Sequence, residues 1–319
     1  MIRKTILEVP TPSCHASTVV FTESGVLLAW FGGTAEGDPD VGIYVTRGDG
    51  ETFSAPERVS REEGVAHWNP VLWRRSDGTF ALYYKVGAKI SDWETYVTES
   101  ADEGATWSQP KPLIAGDRSG GRGPVKNKPI RIADGTVLAP ASWEKDVWRA
   151  FADRSPDDGR SFCRADYIEA PEFDGRPVGL IQPTLWESQP GVVHMLLRSN
   201  EGALYRADSA DGGKTWSVAY RTAVANNNSG VDLVSLADGT LILACNPVGK
   251  NWGARTPLVL MRSADNGNTW ERLYVLEDAP GEYSYPAVVA DDKRIAVSYT
   301  WNRQKIAYCE ISINETERA

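Results

Sequence analysis

Short apolar runs, each preceded by a turn signal, recur along the whole chain. The first run, residues 26–31 (VLLAWF), follows Gly25, and three later runs follow an Asp-Gly pair. The turns lie at Gly25, Gly78, Gly135, Gly191, Gly239 and, in degenerate form, Asp292-Lys293. Glycine supplies the positive φ that a tight hairpin turn requires. The pattern therefore predicts six β-hairpins.

An eight-residue motif alternates with these hairpins. Its copies read SADEGATW, SPDDGRSF, SADGGKTW and SADNGNTW, and a worn copy reads TRGDGETF. The closing aromatics are Phe53, Trp107, Phe162, Trp216 and Trp270, so the steps are 54, 55, 54 and 54 residues. Aspartate beside glycine could suggest calcium, but between strands the Asp and Ser/Thr side chains are expected to hydrogen-bond the local backbone. We expect these octads to be structural turns.

The period of about 54 residues has the size of a propeller blade of four short strands. The chain of 319 residues holds close to six such units. The last unit lacks an octad but offers three strands, at residues 283–289, 294–301 and 305–311, and residues 4–9 could supply its fourth. The sequence therefore predicts an all-β, six-bladed β-propeller with four antiparallel strands per blade. We expect one domain over residues 1–319, closed by the N-terminal strand.

Composition and charge narrow the partners. The 34 Lys and Arg residues against 43 Asp and Glu give a net charge of −9, which argues against a nucleic-acid binder. The charge leaves room for a small basic pocket. With 12 Trp against 3 Met, the chain has many aromatics that could stack on sugars.

Cysteine usage and the N-terminus bear on compartment. Cys14, Cys163, Cys245 and Cys309 lie far apart without CxxC spacing, so neither a zinc ribbon nor a disulfide framework is expected. The N-terminal residues lack the apolar segment of a signal peptide, and no apolar run is long enough to span a bilayer. We expect a cytoplasmic protein with no membrane partner, metal ion or cofactor; the oligomeric state is left open.

Polar residues stand at the predicted starts of the inner strands. The starts read CHA at 14–16, HWNP at 67–70, KNKP at 126–129, QPT at 182–184, NSGVD at 228–232 and YSYP at 283–286. Inner strands of a propeller begin at the central funnel, so these side chains are candidates for a pocket rim. His67, Trp68, Asn69 and Tyr285 enter the candidate site on this ground.

The octads resemble the Asp-box, or BNR, repeats of sialidases, and the six-bladed ring resembles the sialidase superfamily over nearly the whole chain. The strings HWNPVL, KNKPI, NNNSG, NWGARTPL and GEYSYPA are similar to those of its branch of predicted neuraminidases. The resemblance implies an exo-acting glycoside hydrolase that removes a terminal sialic acid or a related 2-keto-3-deoxy sugar acid from a glycan.

The resemblance implies a carboxylate site. Sialidases hold the substrate carboxylate with arginines, because a guanidinium pairs bidentately with it. Their Glu-Pro-x followed by an arginine is similar to Gln182-Pro183-Thr184 followed by Arg198. Their Asn-Pro followed by an arginine is similar to Asn246-Pro247 followed by Arg255.

The resemblance also implies the catalytic pair. The Tyr-Ser that opens the last sialidase blade is similar to Tyr283-Ser284, which implies Tyr283 as the nucleophile. A neutral phenol approaches a carboxylate-bearing anomeric carbon without charge repulsion, and sialidases are an exception to the two-carboxylate scheme. Asp40, 25 residues after His15, or else Asp38, is implied as the general acid.

Two positions depart from the sialidase pattern. His15 stands where the third arginine is expected, and Gln182 stands where a glutamate would activate the tyrosine. Glu144 or His67 could replace that base. The third cation could be His15, Lys128 or Arg303. Tyr285, by strand alternation on the same face as Tyr283, could share the pocket.

The departures keep two other functions open. In a lyase on uronate glycans, Arg198, Arg255 and Gln182 would neutralise the carboxylate, while His15, His67 or Tyr283 would be base and acid. In a non-catalytic sugar-binding propeller the same pocket would only bind, because fold does not fix function.

Overall fold

Strands account for almost all the regular structure of the chain. The computed structural model describes residues 2–117 and 119–313, and within them six antiparallel sheets form the predicted six-bladed propeller. A 3-10 turn, Ile90–Asp92, and a small hairpin, Glu172–Phe173 with Arg176–Pro177, lie outside the blades. No helix in the described residues is long and apolar enough to cross a membrane.

The strands of each blade follow one another outward from the axis. Blades 1 to 3 comprise Ser13–Phe21, Val26–Gly33, Gly42–Gly48 and Glu57–Arg58; His67–Arg74, Phe80–Val86, Glu94–Ser100 and Lys111–Pro112; and Ile130–Arg131, Val137–Glu144 and Trp148–Ser155. Blades 4 to 6 comprise Leu180–Gln189, Val192–Ser199, Ala203–Ser209 and Tyr220–Ala225; Asp232–Ser235, Leu241–Cys245, Leu258–Ser263 and Glu271–Glu277; and Tyr283–Ala290, Arg294–Trp301, Lys305–Ser312 and Arg3–Leu7. In blade 3 the outermost position is a single bridge, Arg154 to Cys163.

The last blade is built from both ends of the chain. Arg3–Leu7 pairs antiparallel with Lys305–Ser312, with Arg3 opposite Glu310 and Leu7 opposite Ile306. This confirms the predicted ring closure. The closure pairs what would otherwise be an exposed edge of the last sheet.

The octads form turns that also join the blades. In the octad of blade 2, the Asp102 carboxylate accepts hydrogen bonds from Ser100, the Thr106 amide and the Thr106 hydroxyl. Its Gly104 has φ +81, and a Cβ there would lie 2.7 Å from Leu27 of blade 1. The same local bonds recur around Asp157, Asp211 and Asp265. The octads are therefore the structural turns predicted, each packed against the preceding blade.

Candidate functional site

A left-handed residue lies at the start of each inner strand. Six non-glycine residues with positive φ, one per blade, are Ala16, Asn69, Lys126, Gln182, Asn228 and Tyr285, with φ between 43 and 64°. Register shifts mark four of them, in blades 1, 2, 4 and 6. Such a conformation costs about 1–2 kcal/mol per residue and is found where function requires it. All six residues lie at or just before the start of their inner strand, where the sequence predicts the central funnel.

The bulge in blade 6 separates two tyrosines that strand alternation places on one face. Tyr283 is 4% exposed and lies in the apolar cluster between blades 5 and 6, beside Trp301. Tyr285, with φ 53°, packs instead on the cluster around blades 1 and 2, against His15. Tyr283 meets Arg255 only through its backbone amide, whereas the side chain of Tyr285 contacts both Arg198 and Arg255.

Arg198 belongs to a group of side chains that we call the arginine cluster, which comprises Arg198, Arg255 and Arg303 with Tyr285 and His15. It is 3% exposed; its Nε donates to Asn228 at 2.7 Å, and its Nη1 donates to Gln182 at 3.0 Å and to the Tyr285 hydroxyl at 2.7 Å. The guanidinium also lies 5.8 Å from the Tyr285 ring centroid. Three blades thus contribute partners that orient a single cation.

Glu144 joins the cluster through Gln182. The Ser142 hydroxyl donates to its carboxylate at 2.7 Å, and the Gln182 amide lies within hydrogen-bonding reach. Burial raises the pKa of Glu144, and the bonds from Ser142 and Gln182 and the charge of Arg198 only partly offset it. The raised pKa means that the neutral carboxyl is favoured more than in an exposed glutamate.

Two further arginines share one carboxylate. Arg255 Nη1 donates to Glu282 at 2.7 Å, and Arg303 Nε donates to the same oxygen at 2.6 Å. Arg303 Nη1 also pairs with Glu36. Burial alone would raise the pKa of Glu282, but Arg255 and Arg303 hold it below its ordinary value.

In the described part of the chain, at least one nitrogen of each of the three arginines forms no hydrogen bond. No acceptor among residues 2–117 and 119–313 meets the Nη2 atoms of Arg198, Arg255 or Arg303. Burial first, and then the charges of Arg303, Arg255 and Arg198, hold the pKa of His15 well below its ordinary value. The charges of the same three arginines thus act on one enclosed ring, although Glu282 and Glu36 offset part of the charge of Arg255 and Arg303.

His15 presents a neutral imidazole to this site. Its ring centroid lies 4.2 Å from that of Tyr285, and its Nδ1 lies 2.8 Å from the Thr300 hydroxyl. That hydroxyl also accepts from the Ala16 amide and keeps one lone pair and one proton, so its bond with Nδ1 is compatible with either tautomer of the ring. Nε2 is buried and has no partner among the described residues. Nε2 can therefore donate one hydrogen bond to a ligand when it carries the imidazole hydrogen, and accept one when Nδ1 carries it.

Lys126 closes the bottom of the funnel. Its ammonium donates to Asn127, to the Val231 carbonyl and to the Pro286 carbonyl, and burial lowers its pKa to about 7. Gly230 lies beside it, where a Cβ would come within 2.9 Å of the lysine side chain and 3.4 Å of Tyr285. The glycine leaves room at the centre of the site.

Other candidates lie apart from the arginine cluster. Lys128 pairs with Asp232 at 2.9 Å and donates to a backbone carbonyl. His67 is fully buried between the Val41 carbonyl and Glu62, with Nδ1 and Nε2 at 2.7 and 3.2 Å from them. Both lysine and histidine are committed to protein partners.

The remaining candidates belong to the wall and rim near blades 1 and 2. Trp68 is 7% exposed and packs in an apolar cluster, with its indole bonded to the Gly87 carbonyl. Asn69 carries the left-handed bulge of blade 2. Asp38 and Asp40 lie in the loop after residue 33, where Asp40 accepts from the Thr34 amide and hydroxyl at 2.9 and 2.8 Å. This loop carries Glu36 to Arg303, which places it at the rim of the cluster.

Sequence reasoning gave Asn228 and Lys126 only as part of the predicted pocket rim and gave Glu282 no role. In the structure Asn228 orients Arg198 and Glu282 orients Arg255 and Arg303, whereas Lys126 is a buried cation beside Tyr285. The available signal was position: Asn228 and Lys126 stand at strand starts, and Glu282 precedes one.

Comparisons with known proteins agree with the fold. The family described as BNR repeat-like domain matches residues 25–297. No curated protein matches the chain. The Hadza microbial sialidase Hz136 superposes with a TM-score of 0.78 at 18% identity, over 96% of this chain and 66% of its own.

Two other solved structures are similar to the same degree. A protein of unknown function from Dyadobacter fermentans gives a TM-score of 0.77 at 18% identity, over 98% of this chain and 99% of its own. The NanB sialidase from Streptococcus pneumoniae gives 0.72 at 14% identity, over 98% and 70%. The chain thus spans about two thirds of the length of these sialidases, and at such identities the likeness concerns the fold.

Proposed function

We propose that this chain, which belongs to the BNR repeat-like domain family, is a sialidase-like glycosidase that removes a terminal 2-keto sugar acid from a glycan. The assignment to the family and to a sialidase-like fold rests on the BNR repeat-like match and on the likeness of the propeller to solved sialidases. The activity and the substrate are the proposal. They are supported by the cluster of three arginines around Tyr285 and His15.

The arginines would hold the substrate carboxylate. Each of Arg198, Arg255 and Arg303 has an Nη2 that meets no acceptor in the described chain, while at least one other nitrogen of each is held by Asn228, Gln182 or Glu282. Fixed guanidinium donors lose little entropy when an anion binds. Arg303 would act as the third cation, and His15 would donate from Nε2 beside it.

Tyr285 would attack the anomeric carbon. In this step the phenol oxygen forms a bond to that carbon, the bond to the leaving oxygen breaks, and Asp40 gives the leaving oxygen a proton. The phenol proton would pass to Glu144 by way of a water molecule in the pocket, because Arg198 donates to the Tyr285 oxygen and to Gln182, so neither side chain can carry the proton. Water would then attack the anomeric carbon and give a proton to Asp40, while Glu144 returns its proton to the departing Tyr285 oxygen and the sugar acid is released.

The single observation that carries the proposal is the position of Tyr285. A tyrosine at φ 53°, with its hydroxyl 2.7 Å from Arg198 and its ring against His15, is held where an aromatic residue is strained. Strain of this kind persists where the site needs it.

The test uses two tyrosines two positions apart. Tyr285→Phe removes the hydroxyl in the cluster, and Tyr283→Phe removes the hydroxyl in the apolar cluster between blades. We expect Tyr285→Phe to lower turnover of a fluorogenic sialoside by about 10³-fold or more, because it deletes the nucleophile. Tyr283→Phe should stay within about threefold of the parent at equal folding, as circular dichroism would verify. Equal activity of the two variants would contradict the assignment.

A uronate lyase is the second candidate, and the contact between His15 and Tyr285 favours it. A neutral imidazole would take the proton from the carbon beside the carboxylate, a double bond would form to the neighbouring carbon, and the Tyr285 phenol would protonate the departing oxygen. This role requires the imidazole hydrogen on Nδ1 so that Nε2 can accept. The product separates the candidates, because a lyase releases an ultraviolet-absorbing unsaturated uronate and a hydrolase does not.

A further inference from the structure

A second cluster of polar side chains lies in blade 4, on the face of the propeller opposite the funnel. Ser188 stands near the end of the inner strand Leu180–Gln189, whose start lies at the funnel. His194 and Asp208 face each other across the second and third strands of the same blade. A serine, a histidine and an aspartate are thereby brought together at the far end of the strands, and none of them belongs to the arginine cluster.

The three side chains are joined by two hydrogen bonds. Ser188 Oγ lies 2.7 Å from His194 Nε2, and His194 Nδ1 lies 2.5 Å from Asp208 Oδ1. Asp208 also accepts from Arg206 Nε and from the Tyr220 hydroxyl, each at 2.8 Å. Burial alone would raise the pKa of this carboxyl, but its three donors hold the pKa well below its ordinary value.

These contacts assign the hydrogen of the His194 ring. An ionised carboxylate only accepts, so the contact of Asp208 with Nδ1 requires the hydrogen on Nδ1. The Arg206 Nη2, 3.0 Å from Nδ1, then makes no bond to the ring, since both atoms carry hydrogen. Nε2 is therefore left as the acceptor for the Ser188 hydroxyl. A serine activated by a histidine that an aspartate orients is recognised by this geometry and not by the order of the residues in the chain.

A β-bulge places the Ser188 side chain. The pairing shifts between Glu187, opposite Val193, and Gln189, opposite Val192, so Ser188 is the extra residue and has no partner across the strands. Bulges redirect a side chain and are frequent beside active sites. Ser188 is exposed, whereas His194 is only 4% exposed. The serine oxygen thus meets solvent on one side and the imidazole on the other.

Neighbouring side chains hold the imidazole and supply a further donor. The Trp186 ring lies against His194, with the centroids 4.9 Å apart at 30°, and its indole donates to Asn266 at 2.7 Å. The Asn266 amide nitrogen in turn lies 3.2 Å from His194 Nε2. This amide therefore stands at the same edge of the ring as the Ser188 hydroxyl. There it can donate to the oxygen of a carbonyl group that the serine attacks.

We propose that Ser188, His194 and Asp208 form a second active site, in which Ser188 is the nucleophile for hydrolysis of short-chain acyl esters. The exposed hairpin position of Ser188 favours a small acyl group, because a long chain would need an enclosing wall. The site shares no residue with the arginine cluster, so it stands whether or not the chain is a glycosidase.

The reaction takes place in two steps. The Ser188 oxygen forms a bond to the ester carbonyl carbon while its proton passes to His194 Nε2. The bond to the alcohol oxygen then breaks, and Nε2 gives that oxygen the proton. In the second step water attacks the acyl carbon and gives a proton to Nε2, which returns it to the Ser188 oxygen as the carboxylic acid leaves. Asp208 stays ionised and orients the ring throughout.

Covalent labelling tests the nucleophile without a known substrate. An alkyl fluorophosphonate forms a phosphorus–oxygen bond with an activated serine and loses fluoride. We expect the intact protein to be labelled at Ser188, as peptide mass spectrometry would show, and His194→Gln to slow labelling by about 10²-fold or more. Ser235 is a matched internal control, because it is exposed at the same end of the inner strand of blade 5 and donates only to a backbone carbonyl, at 3.4 Å. Absence of label from Ser188, or equal labelling of both serines, would overturn the proposal.

Turnover of 4-nitrophenyl acetate tests the activity. Ser188→Ala should lower the rate by about 10²-fold or more, since it deletes the nucleophile and, at an exposed position, leaves the fold intact. Ser235→Ala and Tyr285→Phe should both stay within about twofold of the parent. An equal rate in Ser188→Ala and the parent would contradict the second site. Turnover of a fluorogenic sialoside should be unaffected by Ser188→Ala, so its absence from the parent would contradict only the proposed function of the arginine cluster.

Discussion

His15 shows how a single residue can be electrically neutral among cations. Burial and the charges of three arginines all disfavour its protonated form, so the ring stays neutral. In the proposed carboxylate site, the neutral ring would add a polar group without adding a positive charge. An arginine at this position would add a fourth guanidinium beside Arg198, Arg255 and Arg303.

The neutral state of His15 is directly measurable. We expect its imidazole nitrogens to show no titration between pH 5 and 7 and to report the Nε2–H tautomer in ¹⁵N nuclear magnetic resonance. Because the chain has three histidines, His15→Asn assigns the signal by its loss. An imidazole that titrates near its ordinary pKa of about 6.5 would contradict the assignment; the Nδ1–H tautomer would favour the lyase.

The lowered pKa of His15 also determines how its contribution to the stability of the fold changes with pH. The folded pKa lies below the unfolded value, so the unfolded chain binds more protons once the pH falls below about 6.5. His15 therefore costs stability as the medium becomes acidic. His15→Asn should lose less free energy of unfolding than the parent between pH 7 and 5, as urea denaturation would measure.

For single residues, the sequence predicts which residue types stand at the strand starts better than it predicts which way their side chains point. It predicts that tyrosine and lysine stand at strand starts, but Tyr285 and Lys126 enter the site because their own φ is positive. Neither tyrosine nor lysine is a residue type that predicts a positive φ. Hydrogen bonds, such as those from Lys126 to two carbonyls, hold this conformation in place. The sequence pattern predicts the neighbouring residues Tyr283 and Lys128 as site residues. In the structure, Tyr283 lies in the apolar core and Lys128 forms an ion pair with Asp232.

The octad is the element that explains why the chain repeats. Its aspartate closes a local turn, and its glycine packs on the blade before it, as Gly104 packs on Leu27. The period of 54 residues could therefore be recognised from the sequence, because both contacts need particular residue types. The outermost strands, by contrast, are as short as Glu57–Arg58, and their pattern is too brief to place them.

Two glycines of blade 2 allow the cost of backbone strain in a turn to be measured separately from the cost of overpacking between blades. Gly78 and Gly104 have similar positive φ, 86 and 81°, but a Cβ at Gly78 meets nothing within 4 Å, whereas one at Gly104 meets Leu27 at 2.7 Å. Gly78→Ala should lose about 1–2 kcal/mol of unfolding free energy from backbone strain. Gly104→Ala should lose about 1–3 kcal/mol more from overpacking between the blades. Equal losses in urea denaturation would show that the octad glycine serves only the turn.

At the scale of the whole molecule, the ring depends on a contact between the two ends of the chain. Arg3–Leu7 pairs with Lys305–Ser312, so the last blade gains its outermost strand only when these two distant segments of the chain meet. Its Leu7 is 4% exposed and packs in the cluster between blades 6 and 1. Separation of this strand would expose that cluster and open a sheet edge at once.

A disulfide across this contact would test its importance. Lys4 lies opposite Cys309, a free buried cysteine, and both side chains approach Glu277 and Tyr299 on the same face. Lys4→Cys should form a bond with Cys309, because cross-strand neighbours lie within disulfide reach. By the loop-entropy relation the closed ring should gain about 6 kcal/mol, reduced by loss of the Lys4–Glu277 pair. The oxidised variant should therefore melt above its own reduced form, which is the matched control, and equal Tm values would show that ring opening does not begin at this strand.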